Sequence, residues 1–352
     1  MTPSEAFDLR PGYHISRVIR GGWQLAGGHG EIDRATAISD LAAFCEAGIV
    51  TFDCADIYTG VEELIGEFRT AFAASHGKPA LELVKVHTKF VPDLDILARI
   101  TKDDVRAVID QSLRRLRMER LDLVQFHWWD YDVPGCVQAA TWLKELQQEG
   151  KINLIGGTNF DTAHTARLIE AGIPLASMQV QYSLLDARPE HGLVDYCRAH
   201  GIHLLCYGSV AGGFLSDAWL GRGEPHPPFE NRSLTKYKLI IDDFGGWALF
   251  QELLAVLRGI ATRHGTDIAT VASRAILDRP QVGAVIVGAR NRSHLASNLA
   301  IMQLKLTAAD HAAIAAVTSK RKGPEGDTFT LERDRNGRHG SIMKYNLNKQ
   351  AT

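Results

Sequence analysis

The sequence predicts an α/β fold: a (β/α)8 TIM barrel whose parallel strands are each followed by a helix. Three observations predict it. Apolar, β-branched runs alternate eight times with longer stretches of helical period. Strict alternation implies parallel strands joined by right-handed crossovers, and eight such units suggest closure into a barrel. The main rival, an open doubly wound sheet, usually carries GxGxxG after its first strand. That spacing occurs nowhere in the chain, and the glycine-rich "GGWQLAGGHG" does not fit it.

In chain order, the strands are read at "SRVIRGG", "VTFDCA", "ELVKVHTKF", "LDLVQFH", "INLIGGT", "SMQVQYS", "HLLCYGS" and "VGAVIVGA". Helical period is read over residues 34–47, 61–74, 101–117, 137–149, 162–171, 193–200, 247–264 and 293–299. The third of these is the clearest. Val105, Val108, Ile109, Leu113 and Leu116 form one apolar stripe, and Thr101 precedes two aspartates as a plausible N-cap. Three segments break the repeat. The first 15 residues suit a hairpin closing the barrel bottom. Residues 208–246 form a long loop after strand 7. Residues 319–352 form a polar tail with eight Lys or Arg against four Asp or Glu. With no low-complexity tract or linker to divide it, residues 1–352 are read as one domain, its core about 16–318.

Composition excludes several functions. The 352 residues carry 39 Lys plus Arg against 41 Asp plus Glu, a net charge of −2. That balance lacks the basic footprint of a nucleic-acid binder. No apolar stretch approaches a membrane span, and the N-terminus lacks the pattern of a signal peptide. The five cysteines are scattered and mostly within apolar runs, which suits buried thiols in the reducing cytoplasm. Fourteen histidines raise the question of a metal, but no HExxH occurs, and His200 and His203 straddle a helix-to-strand turn. No metal is expected.

Barrel chemistry sits where strands end, so the strand ends are read in turn. Strand 1 ends at Gly22 and Trp23, and strand 2 at Asp53 with Tyr58 just beyond. Strand 3 ends at Lys89, strand 4 at His127, strand 5 at Thr158 and Asn159. Strands 6 and 7 end at Gln179 and Tyr207. Taken singly, each has a bland reading as a turn cap, a surface charge or a satisfied half-buried histidine. Asp, Tyr, Lys and His converging from three adjacent strands form an acid–base set.

These motifs resemble the aldo-keto reductase superfamily, in order from about residue 16 to residue 300. The matching stretches are "FDCADIY", "TKF", "DLVQFHWWD", "GGTNF" and "IVGARNRSHLASNL". The resemblance implies reversible hydride transfer between a nicotinamide and a carbonyl or alcohol. Asp53, Tyr58, Lys89 and His127 become the catalytic set. Hydride addition leaves an alkoxide that needs a proton and nearby positive charge. Tyr58 is expected to donate the proton, Lys89 to lower the phenol's pKa, Asp53 to hold Lys89, and His127 to orient the carbonyl oxygen or share in proton transfer. For the cofactor, Thr158, Asn159 and Gln179 are expected to take the carboxamide and Tyr207 to stack on the ring. Gly22, Trp23, Asp53, Gly208, Val210 and Gly212 flank the pocket.

Gly288 and Arg290 lead into a helix near Ser293 whose free N–H groups suit phosphate. His294 and Asn298 follow on the adenosine side. Arg290 pairing with a 2′-phosphate favours NADP(H), with NAD(H) the alternative. The chain departs from the family pattern in having Gly288 for a frequent lysine, Ser297 for glutamate and Gly208 for serine. Trp23, Phe90, Trp128 and Trp129 are expected to wall the substrate. A nicotinamide-binding regulatory subunit, like the potassium-channel β subunits of this fold, is the alternative reading. A YxxxK match at Tyr345 and Lys349 lies in the polar tail and carries no weight. The tail is either free or a lid, and as a lid its arginines would suit an anionic substrate group.

Overall fold

The computed structural model describes residues 6–26 and 32–348. The start of the N-terminal hairpin segment, the "GGHG" of the first glycine-rich stretch and Lys349 lie outside the described residues. Two short strands, β1 (Ala6–Arg10) and β2 (Tyr13–Ser16), pair antiparallel as the expected hairpin. Leu9, Tyr13 and Ile15 on it pack with Ile19, Leu123 and Leu205 of the barrel strands, so the hairpin plugs one end of the barrel.

The barrel strands are β3 (Val18–Gly21), β4 (Thr51–Asp53), β5 (Lys85–Phe90), β6 (Leu121–Phe126), β7 (Ile152–Thr158), β8 (Leu175–Gln181), β9 (His203–Tyr207) and β10 (Val282–Gly288). They are parallel and run in chain order around the barrel, with β10 closing on β3. The strand positions read from sequence hold throughout. Helices α1 (Arg34–Glu46), α2 (Val61–His76), α3 (Lys78–Leu83), α4 (Lys102–Leu116), α5 (Cys136–Gln148), α6 (Thr162–Glu170) and α7 (Leu193–Ala199) cover the outside. Thr101 caps α4 in a reciprocal capping box with Asp104.

The later part of the chain is more helical than expected. Residues 208–246 are not one long loop: they contain α8 (Arg232–Phe244), capped by Asn231 and buried along Tyr237, Ile240, Ile241 and Phe244. That spacing is a helical stripe, and the preceding glycine- and proline-rich residues hid it. Helices α9 (Gly246–Arg263), α10 (Ile268–Leu277), α11 (Leu295–Gln303) and α12 (Ala308–Thr318) follow.

The polar tail is folded. Its short helix α13 (Thr330–Arg333) carries Glu332, which is 1% exposed. Arg188 forks between Asp186 and Glu332, with Nη1 to Glu332 Oε2 at 2.8 Å and Nη2 to Asp186 Oδ2 at 2.7 Å. Beyond it, Tyr345 packs edge-on to Trp129, and Asn348 donates to Val91 O at 2.9 Å. The backbone N–H groups of Leu347 and Asn348 both reach Asp93.

Burial works against the Glu332 charge, but Arg188 outweighs it and holds the carboxyl down at about 2, against an ordinary 4.5. A depressed carboxyl stabilises the fold fully above its unfolded value. That contribution fades as pH falls from 4.5 towards 2. Glu332→Gln strands Arg188 beside one carboxylate and is expected to cost roughly 3–5 kcal/mol. Urea unfolding at pH 7 with limited proteolysis of the tail measures the loss. Lowering the pH of the wild type through the same window should release the tail.

Candidate active site

Side chains alternate across a strand, and this parity builds the site. Lys89 on β5 and Gln179 on β8 point inward, as does His127 immediately after β6, and all three line a cavity of about 340 Å³ at the C-terminal mouth. Asp53, Tyr58, Trp23, Trp129, Thr158, Asn159, Tyr207, Gly208, Val210, Gly212 and Gly288 line it too. The same parity sends the next residue outward. Phe90 and Trp128, expected on the substrate wall, are in the core instead. Phe90 stacks on Phe126, and Trp128 packs on Phe126 with its indole N–H bonded to Val133 O.

Asp53 is the hub of the site. Its Oδ2 accepts from Lys89 Nζ at 2.6 Å, and its Oδ1 accepts from Gln179 Nε2 at 2.6 Å and Gln125 Nε2 at 3.0 Å. Gln125 was not singled out from sequence, although it sits two residues before His127 and therefore on the same strand face. Gln179 spends an amide N–H on Asp53, so its side-chain carbonyl is the atom left for a cofactor. Lys89 also donates to Cys54 O at 2.8 Å, and its ammonium lies 5.0 Å from the centre of the Tyr58 ring. Burial opposes the Lys89 charge, but Asp53 and Tyr58 overcome it and raise its pKa.

Tyr58 departs from expectation. Its pKa is raised, not lowered: desolvation dominates, Lys89 pulls the phenol back, and Asp53 pushes it up. The group is a protonated phenol across the neutral range. The loop that carries it is pinned by Asp56, which accepts from Val91 N at 2.9 Å. Gly22 lies behind the strand end. Its N–H donates to Asp53 O at 2.7 Å, and a Cβ there would fall 2.8 Å from that oxygen. It therefore seats Asp53 without lining the cavity.

His127 is held between the edges of Trp129 and Phe329, with ring centres 4.3 and 5.7 Å away. Its Nδ1 lies 3.0 Å from Thr158 O. A carbonyl oxygen only accepts, so Nδ1 carries the hydrogen and Nε2 keeps its lone pair. Nε2 is buried without a hydrogen-bond partner. Burial first, and Arg333 second, push the ring down to about 3.

Tyr207 donates to Asn159 Oδ1 at 2.8 Å, leaving the Asn159 amide N–H free to bind. Gln179, with its N–H groups turned to Asp53, presents its carbonyl. A primary carboxamide offers the complementary acceptor and donor, so this pair fits a nicotinamide. Gly208, with φ +77°, explains one departure from the family pattern: a Cβ there would lie 2.3 Å from the Tyr237 hydroxyl on α8.

At the helix start the phosphate side differs from expectation in one respect. Ser293 N–H is already capped by Asn291 Oδ1 at 3.0 Å. Arg290 and His294 are exposed beyond the cavity, and Asn298 is buried with an unpartnered amide nitrogen. The tail arginines do not face the cavity. Arg335 pairs with Asp130 and Arg338 with Asp243, while Arg333 binds carbonyls near the mouth. The tail's cavity wall is Phe329, Ile342, Met343, Lys344 and Leu347. From α8, Lys236 adds a cation 5.3 Å from the Tyr207 ring centre and 3.9 Å from Glu332. None of these was legible without the tertiary fold. Among the described residues, no group of three or more His, Cys, Asp or Glu is arranged to hold a metal, and no helix is long and apolar enough to cross a membrane.

A closed parallel barrel with this polar set at its mouth defines a class of oxidoreductase, and comparison with known proteins agrees. The model of the aldo/keto reductase family matches residues 17–319, and the chain belongs to that family. It is 29% identical to the aldo-keto reductase YhdN of Bacillus subtilis over 294 residues, covering 81% of this chain and 84% of that protein. It is 26% identical to an NADH-specific methylglyoxal reductase of Escherichia coli over 322 residues, covering 84% of this chain and 92% of that one. A flagellar radial spoke protein of Chlamydomonas reinhardtii is 28% identical over 260 residues, covering 64% of this chain, which spans about half (49%) of that protein. Among solved structures, a glycerol dehydrogenase of Gluconobacter oxydans superposes with a TM-score of 0.75 at 24% identity, covering 93% of this chain and 99% of that one. An aldo/keto reductase of Klebsiella pneumoniae, solved with NADP and acetate, superposes at 0.68 and 20% identity, covering 93% and 98%. Membership of the family implies oxidoreductase activity on carbonyl compounds.

Two buried histidines set the acid side of stability. His127 and His87 are each held at about 3, first by burial, against an ordinary 6.5. Each favours the fold fully above pH 6.5 and loses that contribution as pH falls towards 3. The His87→Leu variant should lose one proton's worth of slope there, about 1.4 kcal/mol per pH unit. Urea unfolding of both proteins at several pH values checks this, and equal slopes would contradict it.

Proposed function

We propose that this protein reduces aldehydes or ketones with NADP(H), and oxidises the corresponding alcohols, with Tyr58 as the proton donor. The observation that carries the reading is the Tyr58–Lys89–Asp53 set facing one cavity with His127. A bound reduced nicotinamide would supply the hydride at the Tyr207 face, its carboxamide between Asn159 and Gln179. Tyr58 gives its proton to the oxygen as negative charge develops there. An alkoxide is far more basic than a phenolate, so even a raised phenol transfers its proton downhill. Lys89 then stabilises the phenolate left behind, and Asp53 keeps the ammonium in place. His127 Nε2, as an acceptor, takes a hydrogen bond from the product hydroxyl or orients an alcohol for the reverse reaction. Trp23, Ile57, Trp129 and Phe329 give the substrate an apolar, aromatic surround.

Arg290, exposed beyond Gly288, is the cation we assign to the 2′-phosphate, with Asn298 on the adenine side. The relative that is NADH-specific by name makes nucleotide choice the first thing to measure. NADPH should bind more tightly than NADH, and Arg290→Ala should narrow the gap. Equal affinities in the wild type would refute this assignment. We also place the protein in the cytoplasm, on its five unpaired and mostly buried cysteines. A nicotinamide-binding regulatory role is the second reading, and the match to a flagellar radial spoke protein shows that similar chains are not all named as reductases. Steady NADPH consumption across a panel of aldehydes separates the two.

Tyr58→Phe should keep nucleotide binding and lower turnover roughly 10²–10⁴-fold, the usual worth of a positioned acid. Lys89→Met should cost a similar factor while leaving Asp53 without its cation. Its melting temperature needs comparing with the wild type. Near-normal turnover in Tyr58→Phe would mean another group supplies the proton.

A further inference from the structure

We propose that Arg333, in the C-terminal tail, is a positioning residue of the catalytic centre: it fixes the segment carrying His127 relative to the segment carrying Thr158 and Asn159. Strand β6 ends at Phe126 and β7 at Thr158. The β6–β7 pairing ends at Phe126 and Gly157, and carbonyls beyond it need partners from elsewhere. One guanidinium supplies them. Arg333 Nη1 donates to Trp128 O and, at 2.7 Å, to Trp129 O. Its Nη2 donates to Asn159 O and to Tyr131 Oη, both at 2.8 Å. The guanidinium also lies 3.8 Å over the Tyr131 ring.

These acceptors directly follow His127 on one side and Thr158 on the other. The catalytic-site hydrogen bond from His127 Nδ1–H to Thr158 O therefore spans a gap that Arg333 bridges one residue further out. Asn159 is held in a left-handed conformation, φ +61°, with its side chain on Tyr207. Its orientation depends on the same anchor. Only a fixed planar fork reaches acceptors on both segments at once; an ammonium does not. The neighbouring Glu332, locked on Arg188, holds the arginine's own backbone. The tail in this view is part of the machinery rather than a cover for it.

The inference rests on the reductase reading, and its test has an arm that does not. Full-length Arg333→Ala and Arg333→Lys are compared with wild type by histidine 15N NMR without cofactor, with His127→Gln used to assign the His127 signal. Wild type should show a hydrogen-bonded Nδ1–H on His127, and both arginine variants should lose or shift it. With a carbonyl that the wild type turns over, kcat should fall about 10- to 100-fold, as expected for a misplaced catalytic group, and KM for the carbonyl by less than threefold. Circular dichroism and melting confirm folding. If the alanine variant does not fold, the lysine variant, which keeps the charge, decides. An unchanged His127 signal, or kcat within threefold of wild type, in a folded variant overturns the proposal. If the wild type itself reduces no carbonyl, the reductase reading fails, and the NMR comparison still decides the role of Arg333.

Discussion

The site depends on one buried ion pair. Asp53 and Lys89 lie on adjacent strands inside a low-polarity barrel, where neither charge is tolerable alone. Asp53 accepts from Lys89, Gln125 and Gln179, and Lys89 finds a second acceptor in Cys54 O. Four strands, β4, β5, β6 and β8, thereby share one hydrogen-bonded layer. The ammonium that results stands beside Tyr58 and has no freedom to move away. The proposed chemistry at Tyr58 would draw on a charge whose position was fixed when the barrel closed.

Electrostatics at the mouth follow from the same dryness. Desolvation raises Tyr58 and lowers His127, so both are neutral in the resting protein. A neutral phenol donates, and a neutral imidazole whose Nδ1–H is already committed accepts. Donor and acceptor thus face one cavity in their neutral forms, with the Asp53–Lys89 pair beside the phenol. In the proposed reaction Lys89 would act on the phenol chiefly by stabilising the phenolate once it forms, which is where charge stabilisation speeds a reaction.

A second buried charge chain, Asp186–Arg188–Glu332 with Lys236 beside it, organises the chain beyond the barrel. It joins the segment after β8, helix α8 and the tail. Helix α8 brings Tyr237 against Gly208 and Gly212, and the tail brings Phe329 to the edge of His127. The cavity is therefore bounded by barrel, insertion and tail together.

The sequence alone determined the barrel and the polar strand ends. Period-2 and period-3.6 patterns report which face of an element is buried, and strand ends are where a parallel barrel exposes backbone and polar side chains. Asp53, Tyr58, Lys89 and His127 were legible for that reason. Parity within a strand was equally available, and would have claimed Gln125 while excluding Phe90 and Trp128. Tertiary structure decided the rest. Whether Tyr58 is raised or lowered depends on how much water reaches it, which no local pattern encodes. Arg333 and Glu332 lie more than 140 residues from Asn159 and Arg188, in a tail whose composition reads as solvated. Their partners are mainly backbone carbonyls and one buried arginine, and only folding brings such groups within hydrogen-bonding distance.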